Sequence, residues 1–156
     1  IQTSIIYITI YFIMNLGLFC CLFTLRRNGK YYEQIDDLSG LSRNHPLISL
    51  SLLIFLFSLA GIPPMAGFFA KLYIFTAVIE KSMYYLAIIG LLATVLSAFY
   101  YLRIIKIIYF DKEKDKYDSD YGIGLKVSLT VTTLIVFLYF IFPGKLIDIV
   151  SHIKII

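Results

Sequence analysis

Long apolar segments separated by short charged segments make up almost the whole of this chain. The apolar segments cover residues 3–25, 46–79, 82–108 and 122–142. At about 1.5 Å per residue, a helix needs roughly 20 apolar residues to cross the hydrocarbon core of a bilayer. The pattern therefore predicts an all-α membrane protein, with a single transmembrane domain over 1–156 and four transmembrane helices.

The second apolar segment is too long for one straight helix across a membrane. Residues 46–79 would form a helix of roughly 50 Å. The segment also contains the pair Pro63-Pro64 between Gly61 and Gly67, and a proline in a helix removes a backbone donor and clashes with the preceding turn. We therefore predict a transmembrane helix that is broken at Gly61–Gly67, with these four residues supporting the break.

Lys71 is the only formal charge between Pro46 and Glu80. It lies roughly 14 Å along the helix from Glu80, near the middle of the membrane, where an ionisable residue marks a functional site by default. Desolvation and neighbouring charges both displace the pKa of a buried lysine, which makes Lys71 a candidate switchable proton carrier. The alternative is a static buried ion pair. The predicted spans contain no carboxylate, so an acidic partner would come from elsewhere, while the broken helix supplies free carbonyls and helix ends.

Other small and polar residues within the spans suggest helix contacts or a polar path. Asn15 lies in the middle of the first span and either hydrogen-bonds a neighbouring helix or lines a hydrated path. Gly17 allows a close approach of another helix. Gly90, Ala93 and Ser97 form a small-residue face that is suited to close helix packing.

Two shorter elements are predicted outside the spans. Apolar residues at helical spacing in Gln34–Leu41 predict a short interfacial helix that ends near Gly40. The tail 145–156 is amphipathic and is expected to lie on the membrane or on a partner.

Composition supports a membrane protein and provides no sign of redox or hydrolytic chemistry. The chain is 60% hydrophobic and 15% charged, with a mean hydropathy of +0.85. Its formal charge of +4 comes from basic residues at helix ends and does not indicate nucleic-acid binding. The adjacent Cys20 and Cys21 point in different directions on a helix, which excludes a disulfide or a metal pair between them. We expect no metal site and no cofactor in this chain.

Basic residues are distributed unequally between the two predicted sides of the membrane. One side carries Arg26, Arg27, Lys30, Arg43, Arg103, Lys106, Lys112, Lys114, Lys116 and Lys126. The other side carries Lys81, Lys145 and Lys154. The positive-inside rule therefore places the loops 26–45 and 109–121 in the cytoplasm or the mitochondrial matrix.

The sequence of His45–Phe75, with S-L-A-G-I-P-P-M-A-G-F-F-A-K at its centre, closely resembles the broken helix of subunit 2 of respiratory complex I, called subunit N in bacteria. M-N-L-G at Met14–Gly17, D-L-S-G-L at Asp37–Leu41 and Y-Y-L-R at Tyr100–Arg103 occur at the relative positions expected for that family. Subunits 4 and 5 and multisubunit cation/proton antiporters share the break, but the S-L-A-G-I-P-P form favours subunit 2.

The resemblance implies the last four helices of an antiporter-like, proton-translocating subunit of NADH:ubiquinone oxidoreductase. It implies that Lys71 matches the central-axis lysine of the broken helix, which is linked to the proton outlet or to the path between channels. It also implies that FMN, iron–sulfur clusters and ubiquinone lie elsewhere in the complex. The implied partners are lipid and the other membrane-arm subunits, with a separate chain expected for the earlier helices. The residue usage, with 13 Tyr, 13 Phe and no Trp, suggests AT-rich coding. We therefore expect the mitochondrial inner membrane, with a bacterial plasma membrane as the alternative. The alternative functions are a cation/proton antiporter subunit and a structural membrane-arm subunit that no longer pumps.

Overall fold

A computed structural model describes residues 2–27, 30–31, 34–113, 117–118, 122–139 and 141. The α-helices within these residues are α1 (Gln2–Thr24), α2 (Leu41–Asn44), α3 (Pro46–Ala60), α4 (Ala66–Glu80), α5 (Tyr84–Phe110) and α6 (Ile123–Leu138). Between α1 and α2 lie two short antiparallel strands, β1 (Arg26–Arg27) and β2 (Lys30–Tyr31), and a 3-10 helix over Ile35–Leu38.

The long helices follow the predicted apolar segments closely. The second segment is divided into α3 and α4, so the predicted break is confirmed. Helix α6 ends at Leu138, and the Ile141 amide donates to the Leu138 carbonyl in a turn. The predicted fourth span extends to residue 142, and residues 140 and 142 lie outside the described residues. The predicted amphipathic tail at 145–156 lies outside the described residues.

Helix α3 lies at the centre of the fold and packs against α1, α4, α5 and α6. Its Phe55 side chain is completely buried and lies against Gly17 of α1, where a Cβ would collide with the Phe55 ring. The predicted close approach at Gly17 is therefore confirmed. Cys21 is buried in the same core, whereas Cys20 is half-buried.

The segment between α1 and α3 is folded onto the end of α5. A short helix was predicted over Gln34–Leu41, and the structure has the 3-10 helix there, ending before Gly40. Gly40 adopts a left-handed conformation with φ of 65°, and its amide donates to the Ile107 carbonyl. His45 then precedes Pro46, the first residue of α3, where a proline is tolerated because the first-turn amides have no helical partner.

Helix α5 leaves most of its apolar surface uncovered. Leu96 and Phe99 are each 74% exposed. The segments Thr3–Thr24 and Tyr84–Phe110 are long and apolar enough to cross a membrane, and α3 and α6 are shorter apolar helices. An uncovered face of this kind is expected where lipid or another membrane helix replaces water.

Candidate functional site

The break in the second apolar segment begins with a left-handed glycine at the end of α3. Gly61 has φ of 83°, which glycine adopts without the steric cost of a Cβ. Its amide donates to the Ser58 carbonyl, and the Ile62 amide donates to the Phe57 carbonyl. These two bonds form a Schellman motif, which satisfies two carbonyls of the last turn and leaves the Leu59 carbonyl available.

The start of α4 is bound to the end of α3 through Ser58. The Gly67 amide, in the first turn of α4, donates to the Ser58 hydroxyl oxygen at 2.9 Å. That hydroxyl donates in turn to the Met14 sulfur of α1 at 2.8 Å. A Cβ on Gly67 would collide with the Ser58 carbonyl, so glycine allows the two helix ends to touch. Ser58 therefore caps α4 from another helix, and Pro63-Pro64, joined by a cis peptide bond, spans the gap.

The Lys71 ammonium binds the carbonyl that the Schellman motif leaves available. Its Nζ donates to the Leu59 carbonyl at 2.7 Å. Helical side chains point toward the N-terminus of their helix, so Lys71 reaches from the second turn of α4 back over Gly61 to the end of α3. The C-terminal end of a helix carries partial negative charge, which stabilises a cation there. The prediction that the break places a free carbonyl and a helix end beside the lysine is confirmed.

Lys71 faces a cavity of about 260 Å³ between α1, α4 and α5. Among the described residues that line it, Lys71 is the only charged one, and the polar ones all have hydroxyl groups. The polar residues of the wall are Tyr7, Tyr11, Thr94, Ser97 and Tyr101. Liquid water occupies about 30 Å³ per molecule, so the cavity has room for several waters beside Lys71.

Two other sequence-based interpretations have different outcomes. Gly90 lies close to Phe75 of α4, where an added Cβ would be 3.0 Å from the Phe75 ring. Ala93 and Ser97 border the Lys71 cavity and are exposed, so close packing at these two positions stays a prediction. The Asn15 amide donates to the Tyr11 carbonyl of its own helix at 2.8 Å, and Asn15 is absent from the lining of the Lys71 cavity. A role for Asn15 in a polar path stays a prediction.

Sequence reasoning did not identify Ser58 or the tyrosines of the cavity as site residues. Tyr7, Tyr11 and Met14 recur at three- and four-residue spacing, which places them on one face of α1. The spacing indicates that the three residues share a helix face, but it does not distinguish the wall of a polar cavity from an ordinary contact between helices. No sequence pattern marks Ser58 as a site residue. Its hydrogen bonds to Gly67 and Met14 form only when the ends of α3 and α4 meet beside α1.

The part of the chain that contains the break and Lys71 matches a described family. A profile of the NADH:quinone oxidoreductase/Mrp antiporter transmembrane family matches residues 1–97, which include α1, the break and Lys71. The chain belongs to this family.

Bacterial relatives extend the similarity to the rest of the chain. The chain is 69% identical over 156 residues to the NADH-quinone oxidoreductase subunit N of Pelagibacter ubique, with all of this chain covered and 33% of that protein. It is 43% identical over 148 residues to the subunit N of Rhodospirillum rubrum, with 95% and 30% of the two chains covered. The chain therefore spans about a third of the length of the curated relatives it matches.

A solved structure has the same fold. A chain of the respiratory complex I from Thermus thermophilus with bound aureothin superposes with a TM-score of 0.79, at 22% identity, over 94% of this chain and 34% of that chain. The predicted fold class, the last helices of an antiporter-like membrane fold with a broken second helix, is confirmed.

Proposed function

We propose that this chain forms the C-terminal third of a proton-translocating subunit of an NADH:quinone oxidoreductase, and that Lys71 carries the proton. The contact between Lys71 and the Leu59 carbonyl, at a helix break that faces a polar cavity, is the observation on which the proposal depends. Membership of the family and the names of the bacterial relatives support the choice of complex.

In this proposal Lys71 alternates between two protonation states. The ammonium donates to the Leu59 carbonyl, and the negative end of α3 stabilises its charge. When the proton passes to water in the cavity, the neutral amine keeps a lone pair that accepts the next proton. No electron moves in this chain, and the cofactors that we expect elsewhere in the complex, FMN, iron–sulfur clusters and quinone, would supply the driving reaction.

The proposed partners and location follow from the length and the relatives of the chain. We propose that it acts together with the part of the subunit that corresponds to the other two-thirds of its relatives, and with further membrane-arm subunits and lipid. A separate chain for that part stays a prediction, which its co-purification with this chain would test. The bacterial relatives favour the plasma membrane, the alternative location, over the mitochondrial inner membrane that residue usage suggested.

Replacing Lys71 tests the proposal. In the assembled complex in membrane vesicles, Lys71→Ala should reduce proton uptake per NADH oxidised, with the rate of uptake falling at least about tenfold, because a positioned acid–base group is lost. Lys71→Arg should impair uptake as well, since arginine stays protonated at all relevant pH values.

The matched control is Lys81→Ala, which removes an exposed lysine from the turn after α4. It should leave the ratio of protons to NADH unchanged. An unchanged ratio in Lys71→Ala would contradict the proposal and leave the structural membrane-arm subunit, the alternative without pumping.

A second candidate function is a subunit of a cation/proton antiporter, because the family description names both classes. The two candidates differ in their partners. Co-purification of this chain with NADH dehydrogenase activity supports the oxidoreductase, whereas sodium-dependent proton exchange without that activity supports the antiporter.

A further inference from the structure

Tyr101 borders two cavities. One is the Lys71 cavity, and the other is a space of about 500 Å³ between α1, α3, α5 and the 3-10 helix, here called the loop-side cavity. Among the described residues, Tyr101 is the only one that lines both cavities. Its side chain therefore lies where the space around the buried lysine meets the space under the loop that follows α1.

The loop-side cavity has a polar end and an apolar wall. Gln34, Asp37 and Tyr117 lie at the end formed by the connecting segments, where the predicted basic side of the membrane begins. The Tyr117 hydroxyl donates to the Asp37 carbonyl at 2.6 Å, which connects the segment before α6 to the 3-10 helix. The cavity thus leads from a charged surface region to the Tyr101 ring.

Beyond Tyr101, other phenols continue toward Lys71. Tyr7 and Tyr11 line the Lys71 cavity from α1, with their rings stacked at a centroid distance of 6.0 Å. Both share the lining of this cavity with Tyr101. Thr94 and Ser97 of α5 satisfy their own hydroxyl donors on backbone carbonyls of that helix. Their oxygens can still accept hydrogen bonds from water.

We propose that the Tyr101 hydroxyl passes protons between the loop-side cavity and Lys71. The oxygen accepts a proton from water on one side and releases its own proton to water on the other, so one proton moves and the phenol is regenerated. The inference rests on the proposed function of Lys71, and it adds the side of the membrane from which this lysine exchanges protons.

Tyr101→Phe removes the hydroxyl and keeps the ring that separates the cavities. In the assembled complex, it should slow NADH-driven proton uptake by roughly tenfold or more, as expected for the loss of a proton-transfer group. The matched control is Tyr85→Phe, because Tyr85 is exposed on the same helix and lines neither cavity. This variant should pump normally.

Comparison with Lys71→Ala separates the two hypotheses. Loss of pumping in both Lys71→Ala and Tyr101→Phe supports the relay. Loss in Lys71→Ala alone overturns the role of Tyr101 and keeps the proposed function. Normal pumping in Lys71→Ala overturns the proposed function and the role of Tyr101, whatever the result for Tyr101→Phe, because Lys71 would then not be the group that receives the proton.

Thiol labelling tests whether the loop-side cavity contains water, without measuring activity. Ile104→Cys places a thiol in the loop-side cavity, and a membrane-impermeant thiol reagent applied from the loop side should label it above the level of the parent chain, which contains Cys20 and Cys21. Leu96→Cys, on the exposed apolar face of α5, is the control and should stay unlabelled. Equal lack of labelling at both positions would show that the loop-side cavity is dry and would overturn the proposal.

Discussion

Lys71 is held by a backbone carbonyl and the end of a helix. A carboxylate partner would oppose loss of the proton with a full negative charge, whereas a carbonyl at a helix C-terminus contributes only partial charge. The Leu59 contact at 2.7 Å therefore stabilises the ammonium without fixing it as strongly as an ion pair would. This arrangement suits a group that has to gain and lose a proton.

Ser58 is the residue whose removal tests how the two helix ends are joined. Ser58→Ala would leave the Gly67 amide without its acceptor and the Met14 sulfur without its donor. Leaving a buried donor unpaired costs about 1–3 kcal/mol. We expect a lower unfolding midpoint of the purified complex, together with slower proton uptake because Lys71 would lose its fixed position relative to Leu59.

Ser4→Ala is a matched control for this change, because Ser4 is exposed on α1. It should shift the free energy of unfolding by no more than about 0.5 kcal/mol. Equal midpoints for Ser58→Ala and Ser4→Ala would show that the Ser58 hydroxyl does not stabilise the break.

At the scale of elements, the break consists of the C-terminal end of α3 followed by the N-terminal end of α4. The Schellman motif closes α3 and pairs the Gly61 and Ile62 amides, and the Ser58 hydroxyl pairs the Gly67 amide at the start of α4. Irregular backbone is tolerated at membrane depth when protein or a wet cavity surrounds it. The Lys71 cavity meets that condition on the α1 and α5 side.

Gly61 is the position where the break depends on backbone conformation. Gly61→Ala puts a Cβ on a residue with φ of 83° and places it 3.0 Å from the Lys71 Cδ atom. The left-handed conformation costs an alanine about 1–2 kcal/mol. We expect a lower unfolding midpoint and a displaced Lys71, measured by thermal unfolding and by proton uptake.

Two further variants identify the cause of the effect. Gly61→Asn should be milder than Gly61→Ala in its backbone cost, because asparagine adopts left-handed conformations more readily. Gly122→Ala should be nearly neutral, since Gly122 has φ of −53° and open space around its Cβ position. An equal loss in Gly61→Ala and Gly122→Ala would argue against a special conformation at Gly61.

At the scale of the whole molecule, the orientation in the membrane is a sequence-based prediction. The basic residues favour a cytoplasmic position for the loops before α2 and after α5. Lys112→Cys, in the loop after α5, should react with an impermeant thiol reagent from the cytoplasmic side alone. Lys81→Cys, in the turn between α4 and α5, should react from the opposite side; both lysines are exposed. Labelling of both from one side would contradict the predicted topology.

The sequence by itself determined the apolar segments, the break and the position of Lys71. These features are local: segment length, the two prolines and a lone charge follow from neighbouring residues and from the thickness of a bilayer.

Only the tertiary structure decided what surrounds the lysine. Leu59 is separated from Lys71 by 12 positions, Ser58 from Met14 by 44, and Tyr117 from Asp37 by 80. Such contacts depend on how the helices cross. The spacing of Tyr7 and Tyr11 on α1 is equally compatible with a cavity wall and with an apolar contact between helices. The position of Tyr101 between the Lys71 cavity and the loop-side cavity became visible only in three dimensions, because it requires α1, α3, α4 and α5 to enclose both spaces.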